Sequence, residues 1–360
     1  MKRIVVKVGT SVLTHDDGSL NLRSIRNITE QIVAIKKQKI DVVLISSGAC
    51  GAGKNIYKEN DFVKKKDLLS KDKITQRQVF ASIGQPRLLH RYLEAFLLHN
   101  FFCAQILVTK EDFRDRGHFL NMSNCMHALL SNQIVPIINE NDAISIDERM
   151  FSDNDELAGM ISTMVNADKL VIMTNVDGLF TGDPKLLDSK LIEKINPNDN
   201  WRQYIQDTKS SMGRGGMKTK CQMADKLARL GVETILVNGE RENAMLNVIN
   251  NEIPCTRFVA HSKVSSIKKW IAVSEDSKKG SIIVNKGAEE AISQNGGSLL
   301  PIGAIGVSGN FKKGDIVAIK NKDGETFALG VARYDIERCK ERIGKPNQKP
   351  MVHRDALFLG

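Results

Sequence analysis

The chain has 360 residues, 41% hydrophobic and 26% charged, enough for one large and one small domain whose cores need no disulfide or metal staples. It has no run of 18 or more apolar residues, and its first residues, with Lys2, Arg3 and Lys7 ahead of a Gly-Thr-Ser turn, do not read as a signal peptide, which argues against a membrane protein. The six cysteines are scattered without Cys-x-x-Cys spacing, which argues against a zinc site or redox dithiol and fits reduced thiols in the cytoplasm.

The net charge is +10, and residues 261–360 carry 17 basic against 11 acidic side chains. A solvated basic surface explains this as well as a polyanion-binding face does, and charge alone favours the former.

In chain order, residues 3–8 (RIVVKV) predict a buried strand ending at Gly9. Ile25, Ile28, Ile32 and Ile35 predict a helix over 23–38, and 40–46 a second strand closed by Ser47-Gly48. The lysine-rich stretch 54–73 has little periodicity and predicts a surface loop. A long helix over 74–99, a strand over 102–109, a helix over 118–131 and a strand over 134–139 follow. Helical spacing returns at 154–166 and 216–230, with strands at 170–174 and 234–237. Strands alternating with helices predict an α/β three-layer sandwich with a mostly parallel central sheet and a site beyond the strands' carboxyl ends. From Trp270 onward, short strand-like segments separated by glycines predict a small β-rich domain.

Six polar clusters interrupt this pattern. Lys7 stands in an apolar strand, where an ammonium must emerge or find a partner, and Gly9 allows close backbone approach to a ligand. An ordinary edge lysine and turn explains that piece equally well. Residues 48–54 spell G-x-x-x-x-G-K, close to a P-loop, but Asn55 replaces the required Ser or Thr and no long hydrophobic helix is expected next, so the P-loop is rejected; the glycines still suit a loop around an anion. Residues 138–143 (INENDA) end an apolar strand with side chains suited to an α-amino group. Residues 151–157 (FSDNDEL) open a helix, where N-capping explains any one residue but does not require three. Residues 174–184 follow a strand with an Asp-Gly turn, and 213–220 place glycines at a helix N-terminus, a ready anion site within reach of Lys220.

Taken together, KVGTSVLT (7–14), ISSGACGAG (45–53), GQPRL (84–88), INENDA (138–143), SDNDELA (152–158), TNVDGLFTGDP (174–184) and GRGGMKTK (213–220) resemble the amino-acid kinase family. Residues 297–315 and 352–355 resemble a PUA domain. The resemblance implies a kinase domain over 1–255, a linker over 256–272 and a PUA domain over 273–360. INENDA and the tail point to the members that phosphorylate the L-glutamate side-chain carboxylate with ATP and Mg²⁺, the first step of proline biosynthesis.

It further implies that Lys7 and Lys220 lie on the phosphates, that Gly9 and Gly48 donate N–H groups there, and that Asp155 orients the two lysines. Ser47, Asp142 and Asn154 would hold glutamate. Thr174, Asn175, Arg214, Gly215, Gly216, Met217, Lys218 and Thr219, with Lys7 and Lys220, would hold ATP. No protein metal ligand is expected; Mg²⁺ would be bound through the ATP phosphates. A cytoplasmic homo-oligomer inhibited by proline, with nucleic-acid binding by the PUA domain possible, completes the implication. Asn175 stands where members commonly have Asp, and Arg214 where they commonly have Thr.

Three alternatives remain open on the sequence. A related kinase with another acceptor is nearest. An RNA-binding protein would need the tail, whose only aromatics are Trp270, Phe311, Phe327, Tyr334 and Phe358, few for base stacking. A regulatory homologue would bind glutamate without turnover.

Overall fold

The computed structural model describes residues 2–60, 72–145, 151, 153–205, 216–261, 264–273 and 278–359. Two compact units emerge, one of Met1–Glu111 with Asn121–Lys263, the other of Asp112–Leu120 with Val264–Gly360.

The first unit is built on a sheet of eight strands: β1 (Arg3–Val8), β2 (Asp41–Ser46), β3 (Cys103–Val108), β4 (Val135–Glu140), β5 (Lys169–Thr174), β6 (Lys194–Ile195), β7 (Glu233–Asn238) and β8 (Thr256–Phe258). They lie in the order β3-β4-β2-β1-β5-β7-β8-β6, and every pairing is parallel except β7 with β8. The apolar, β-branched runs explain the centre: β1, β2, β4 and β5 are buried almost throughout, as strands of a parallel sheet covered on both faces must be.

Among the described residues, the helices of this unit are α1 (Thr10–Leu13), α2 (Leu22–Lys37), α3 (Ala49–Glu59), α4 (Lys73–Leu97), α5 (Lys110–Arg114) and α6 (Arg116–Ser131), both shared with the second unit, α7 (Asn154–Met164), α8 (Met217–Arg229) and α9 (Ala244–Asn250). Helix α2 begins where the Asn21 side chain accepts from the Ser24 N–H at 3.1 Å, and its four isoleucines are buried against the sheet. Asp72 caps α4 by accepting from the N–H groups of Ile74 and Thr75.

Residues 54–59, expected in a surface loop, are helical. Helix α3 starts directly after Gly48, whose φ of +99° is natural for glycine at this turn. It is held by tertiary contact rather than by a hydrophobic stripe. A Cβ on Gly53 would come within 1.8 Å of the Phe80 carbonyl oxygen, and one on Gly84 within 1.8 Å of the Ala49 carbonyl oxygen. Helices α3 and α4 therefore touch backbone to backbone. Residues 61–71 of the lysine-rich stretch lie outside the described residues. The motif thus lies within this 11-residue helix, whose buried residues are Ala49, Ala52 and Gly53, and no long hydrophobic helix is seen to follow it among the described residues; with Asn55 at the Ser/Thr position and Lys54 exposed and away from the cleft described below, the P-loop reading stays rejected.

In the second unit, β9 (Gly280–Val284), β10 (Ala304–Gly309), β11 (Ile316–Lys320), β12 (Thr326–Val331) and β13 (Leu357–Leu359) form a sheet in the order β10-β9-β11-β12-β13. Its core gathers Ile282, Val284, Leu299, Phe311, Val317 and Ile319. Among the described residues, α10 (Ser266–Val273) precedes the sheet, and α11 (Lys286–Ser293) and α12 (Ile336–Arg342) lie between its strands. Trp270, expected to open a strand-like region, stands on α10, and α11 is set by Asn285, whose side chain accepts from the Ala288 N–H at 2.9 Å. Among the described residues no helix is long and apolar enough to cross a membrane.

Candidate active site

The carboxyl ends of β4, β2, β1 and β5 are neighbours in the sheet and open on one cleft of about 1360 Å³. Each strand delivers polar groups as it ends: Glu140 and Asp142 from β4, Ser47 and Gly48 from β2, Lys7 and Gly9 from β1, Thr174 and Asn175 from β5.

At the centre, Asp155 on the first turn of α7 takes Lys7 at 2.7 Å on one carboxylate oxygen and Lys220 of α8 at 2.9 Å on the other. The three are 1%, 6% and 8% exposed respectively. Burial opposes charge on Asp155, but the two ammonium groups prevail and hold its carboxyl below the usual range. An isolated buried lysine would be costly; two lysines on one ionised carboxylate satisfy that carboxylate and leave the trio with a net positive charge facing the cleft.

Asp153, two residues earlier, caps α7: its Oδ1 accepts from the N–H groups of Asp155 at 2.9 Å and Glu156 at 3.0 Å. Its Oδ2 accepts from the Thr219 hydroxyl at 3.1 Å, joining the starts of α7 and α8. Capping therefore accounts for Asp153, while its neighbours Asn154 and Asp155 turn to the cleft. The Asn154 amide donates to Ser47 Oγ at 2.8 Å and to Asn139 Oδ1 at 3.1 Å. Asn139 in turn donates to Gln85 Oε1 at 2.9 Å, so three elements fix the Asn154 side chain.

Beyond β4, Asp142 pairs with Arg77 of α4, whose guanidinium also lies 3.7 Å from Glu140. Glu140 Oε1 accepts from the Phe151 N–H at 3.1 Å. Burial, reinforced by the Asp142 charge, raises the Glu140 carboxyl to about 7. Burial also raises Asp142, against the pull of Arg77.

Of the residues expected at the site, Lys7, Gly9, Ser47, Gly48, Asp142, Asn154, Asp155, Thr174, Asn175, Gly216, Met217, Lys218 and Lys220 line this one cleft. Thr219 does not, its hydroxyl being turned to Asp153 and to the Gly216 carbonyl. Arg214, Gly215 and Ser152 lie outside the described residues. Arg77 was not anticipated, because a basic residue on a long amphipathic helix carries no signal that separates it from a solvated one. Glu140 stood inside a recognised motif without an assigned role. Among the described residues no group of three or more His, Cys, Asp or Glu side chains is placed to hold a metal ion.

Comparison with known proteins identifies the family. Residues 2–238 match the model of the amino acid kinase family, and residues 280–352 match the PUA domain. A protein named glutamate 5-kinase from Chlorobaculum tepidum is 42% identical, over 99% of this chain and 97% of its own. Another of that name from Bacteroides thetaiotaomicron is 41% identical, over 99% and 98%. Among solved structures, carbamate kinase from Giardia lamblia, bound to AMP-PNP, shares the fold: the TM-score is 0.54 at 17% identity, over 72% of this chain and 99% of that one. With a family match over most of its length and near-full-length relatives above 40% identity, this chain belongs to the amino acid kinase family.

Proposed function

We propose that this chain transfers the terminal phosphoryl group of ATP to the side-chain carboxylate of L-glutamate, forming glutamyl 5-phosphate and ADP. The observation that carries the reading is near-full-length similarity to proteins named glutamate 5-kinase, and the chemistry of the cleft is compatible with it.

The glutamate side chain, with an ordinary pKa of about 4.3, is already a carboxylate at neutral pH and needs no base to become a nucleophile. The barrier is electrostatic, since an anion must approach a polyanion. In this reading Lys7 and Lys220, fixed by Asp155, neutralise the charge between donor and acceptor, and the N–H groups of Gly9 and Gly48 stabilise the phosphoryl group in transit. Asp142 receives the α-ammonium, and Ser47 and Asn154 position the acceptor. Thr174, Asn175, Gly216, Met217 and Lys218 border the nucleotide side, to which Arg214, Gly215 and Thr219 also belong by resemblance.

The layout along the sheet supports this division: acceptor groups beyond β4 and β2, phosphate groups beyond β1, nucleotide groups beyond β5. Magnesium would enter as a partner of the triphosphate, held through its phosphate oxygens beside the cations and N–H donors of the cleft. Bound to the phosphates it would neutralise part of their charge. A place at the head of proline biosynthesis in the cytoplasm, self-association, feedback by proline and a nucleic-acid partner for the PUA domain rest on the resemblance alone.

The test is an ATP- and magnesium-dependent hydroxamate assay for acyl phosphate, run side by side with glutamate, aspartate and acetylglutamate. Glutamate should give the largest kcat/KM. A larger value for either of the others, or no hydroxamate from glutamate, overturns the reading.

A further inference from the structure

We propose that Arg77 recognises the α-carboxylate of the acceptor, and so selects an α-amino acid over other carboxylic acids; the inference rests on the glutamate reading above. Such an acceptor carries three charges. Two are assigned in that reading, the side-chain carboxylate beside the phosphates that Lys7 and Lys220 neutralise and the α-ammonium at Asp142. The α-carboxylate sits on the same carbon as the ammonium, so its partner must be a cation beside Asp142.

Among the described residues, five basic side chains line the cleft: Lys7, Arg77, Lys185, Lys218 and Lys220. Lys7 and Lys220 are bound to Asp155, Lys185 belongs to the segment after β5, and Lys218 to the start of α8. Arg77 is the one in direct contact with Asp142. Its side chain is 23% exposed, against 11% for Asp142 and 6% for Glu140, so within this cluster Arg77 has the most accessible side chain, and it lines the cleft.

The chemistry of the pair matches the head of an amino acid. That head is a zwitterion with its two charges one carbon apart, and a guanidinium in contact with a carboxylate is a zwitterion of opposite sense. Carboxylate meets Arg77 while ammonium meets Asp142. The planar guanidinium has five N–H donors and suits bidentate capture of a carboxylate, a geometry an ammonium does not reproduce. Glu140, 3.7 Å away, and Asp142 both contact the guanidinium and orient it. The high proton affinity of the Glu140 carboxyl keeps those two acids from cancelling the positive charge twice over.

The experiment compares glutamate with 4-aminobutyrate, which keeps the reacting carboxylate and the amino group but lacks the α-carboxylate. In Arg77→Gln, kcat/KM for glutamate should fall roughly 10- to 100-fold, mainly through KM, the scale of losing hydrogen bonds to a charged group. For 4-aminobutyrate it should change less than about twofold, because the missing interaction was never made. Arg77→Lys, which keeps charge without the planar fork, should show a partial loss confined to glutamate, and it serves in place of the Gln variant should that fail to fold. Equal losses with both acceptors would mean that Arg77 merely positions Asp142, and would overturn the assignment, as would an unchanged KM for glutamate. A wild-type protein that forms no acyl phosphate from glutamate overturns the functional reading as well; normal wild-type turnover with an indifferent Arg77 overturns this inference alone.

Discussion

Beyond β1, two lysines share one carboxylate; beyond β4, two places along the sheet, two carboxylates share one guanidinium. The first cluster is buried and the second partly so, and both are made of the same kinds of group, yet their proton affinities move in opposite directions. Asp155, outnumbered by cations, is held below the ordinary carboxylate range despite its burial. Glu140, sharing a single cation with Asp142, is pushed up to about 7. Burial acts the same way on each, so the ratio of partners decides the outcome. One cluster is thereby suited to polyphosphate and the other to a head group carrying both signs.

Three substitutions separate the clusters. Lys220→Ala should have the largest effect: turnover number down about 100-fold or more, the scale of losing one preorganised electrostatic donor, with KM for glutamate little moved. Turnover within a few-fold of wild type would remove Lys220 from the reaction. Asp142→Ala should chiefly raise KM for glutamate, roughly 10- to 50-fold for a lost charge-assisted contact, while sparing kcat. A fall in kcat at constant KM would assign Asp142 to the wrong cluster.

Glu140→Gln should act mainly on stability, and in a pH-dependent way. A carboxyl raised in the folded state binds its proton more tightly there than in the unfolded chain. The stability it lends is complete below its ordinary pKa of 4.5 and is lost as pH rises through about 7. Gln at this position mimics the protonated acid, so relative to wild type the variant should gain on the order of 1–2 kcal/mol between pH 5 and pH 8 in denaturant unfolding. A pH-independent difference would place the ionisation of Glu140 elsewhere.

The sheet was legible because its strands are written as β-branched apolar runs, and most helices because their isoleucines, leucines and methionines recur at helical spacing. Helix α3 was not: its glycines and lysines read as a loop, and what holds it is a backbone contact with α4 that no local pattern displays. The two short strands β6 and β8 and helix α9 were missed for want of length, since a strand of two or three residues has no periodicity. Within the cleft, residues at strand ends stood out as polar groups where the apolar run stops. The meeting of Lys7, Asp155 and Lys220 was readable only through family resemblance, because side chains so distant along the chain leave no spacing to detect. Arg77 shows the converse, a polar side chain whose surroundings are supplied entirely by the fold.

The glycine crossing of α3 and α4 joins the two ends of this machinery. Gly48 and Ser47 stand at the head of α3, and Arg77 on the second turn of α4. Where helices meet through side chains, rotamer changes can absorb a displacement; with carbonyl groups pressed against α-carbons at Gly53 and Gly84, there is no such cushion. In the proposed reading, seating the acceptor and shaping the turn toward the phosphates would be one mechanical event, and a single added methyl at either glycine would force the two helices apart.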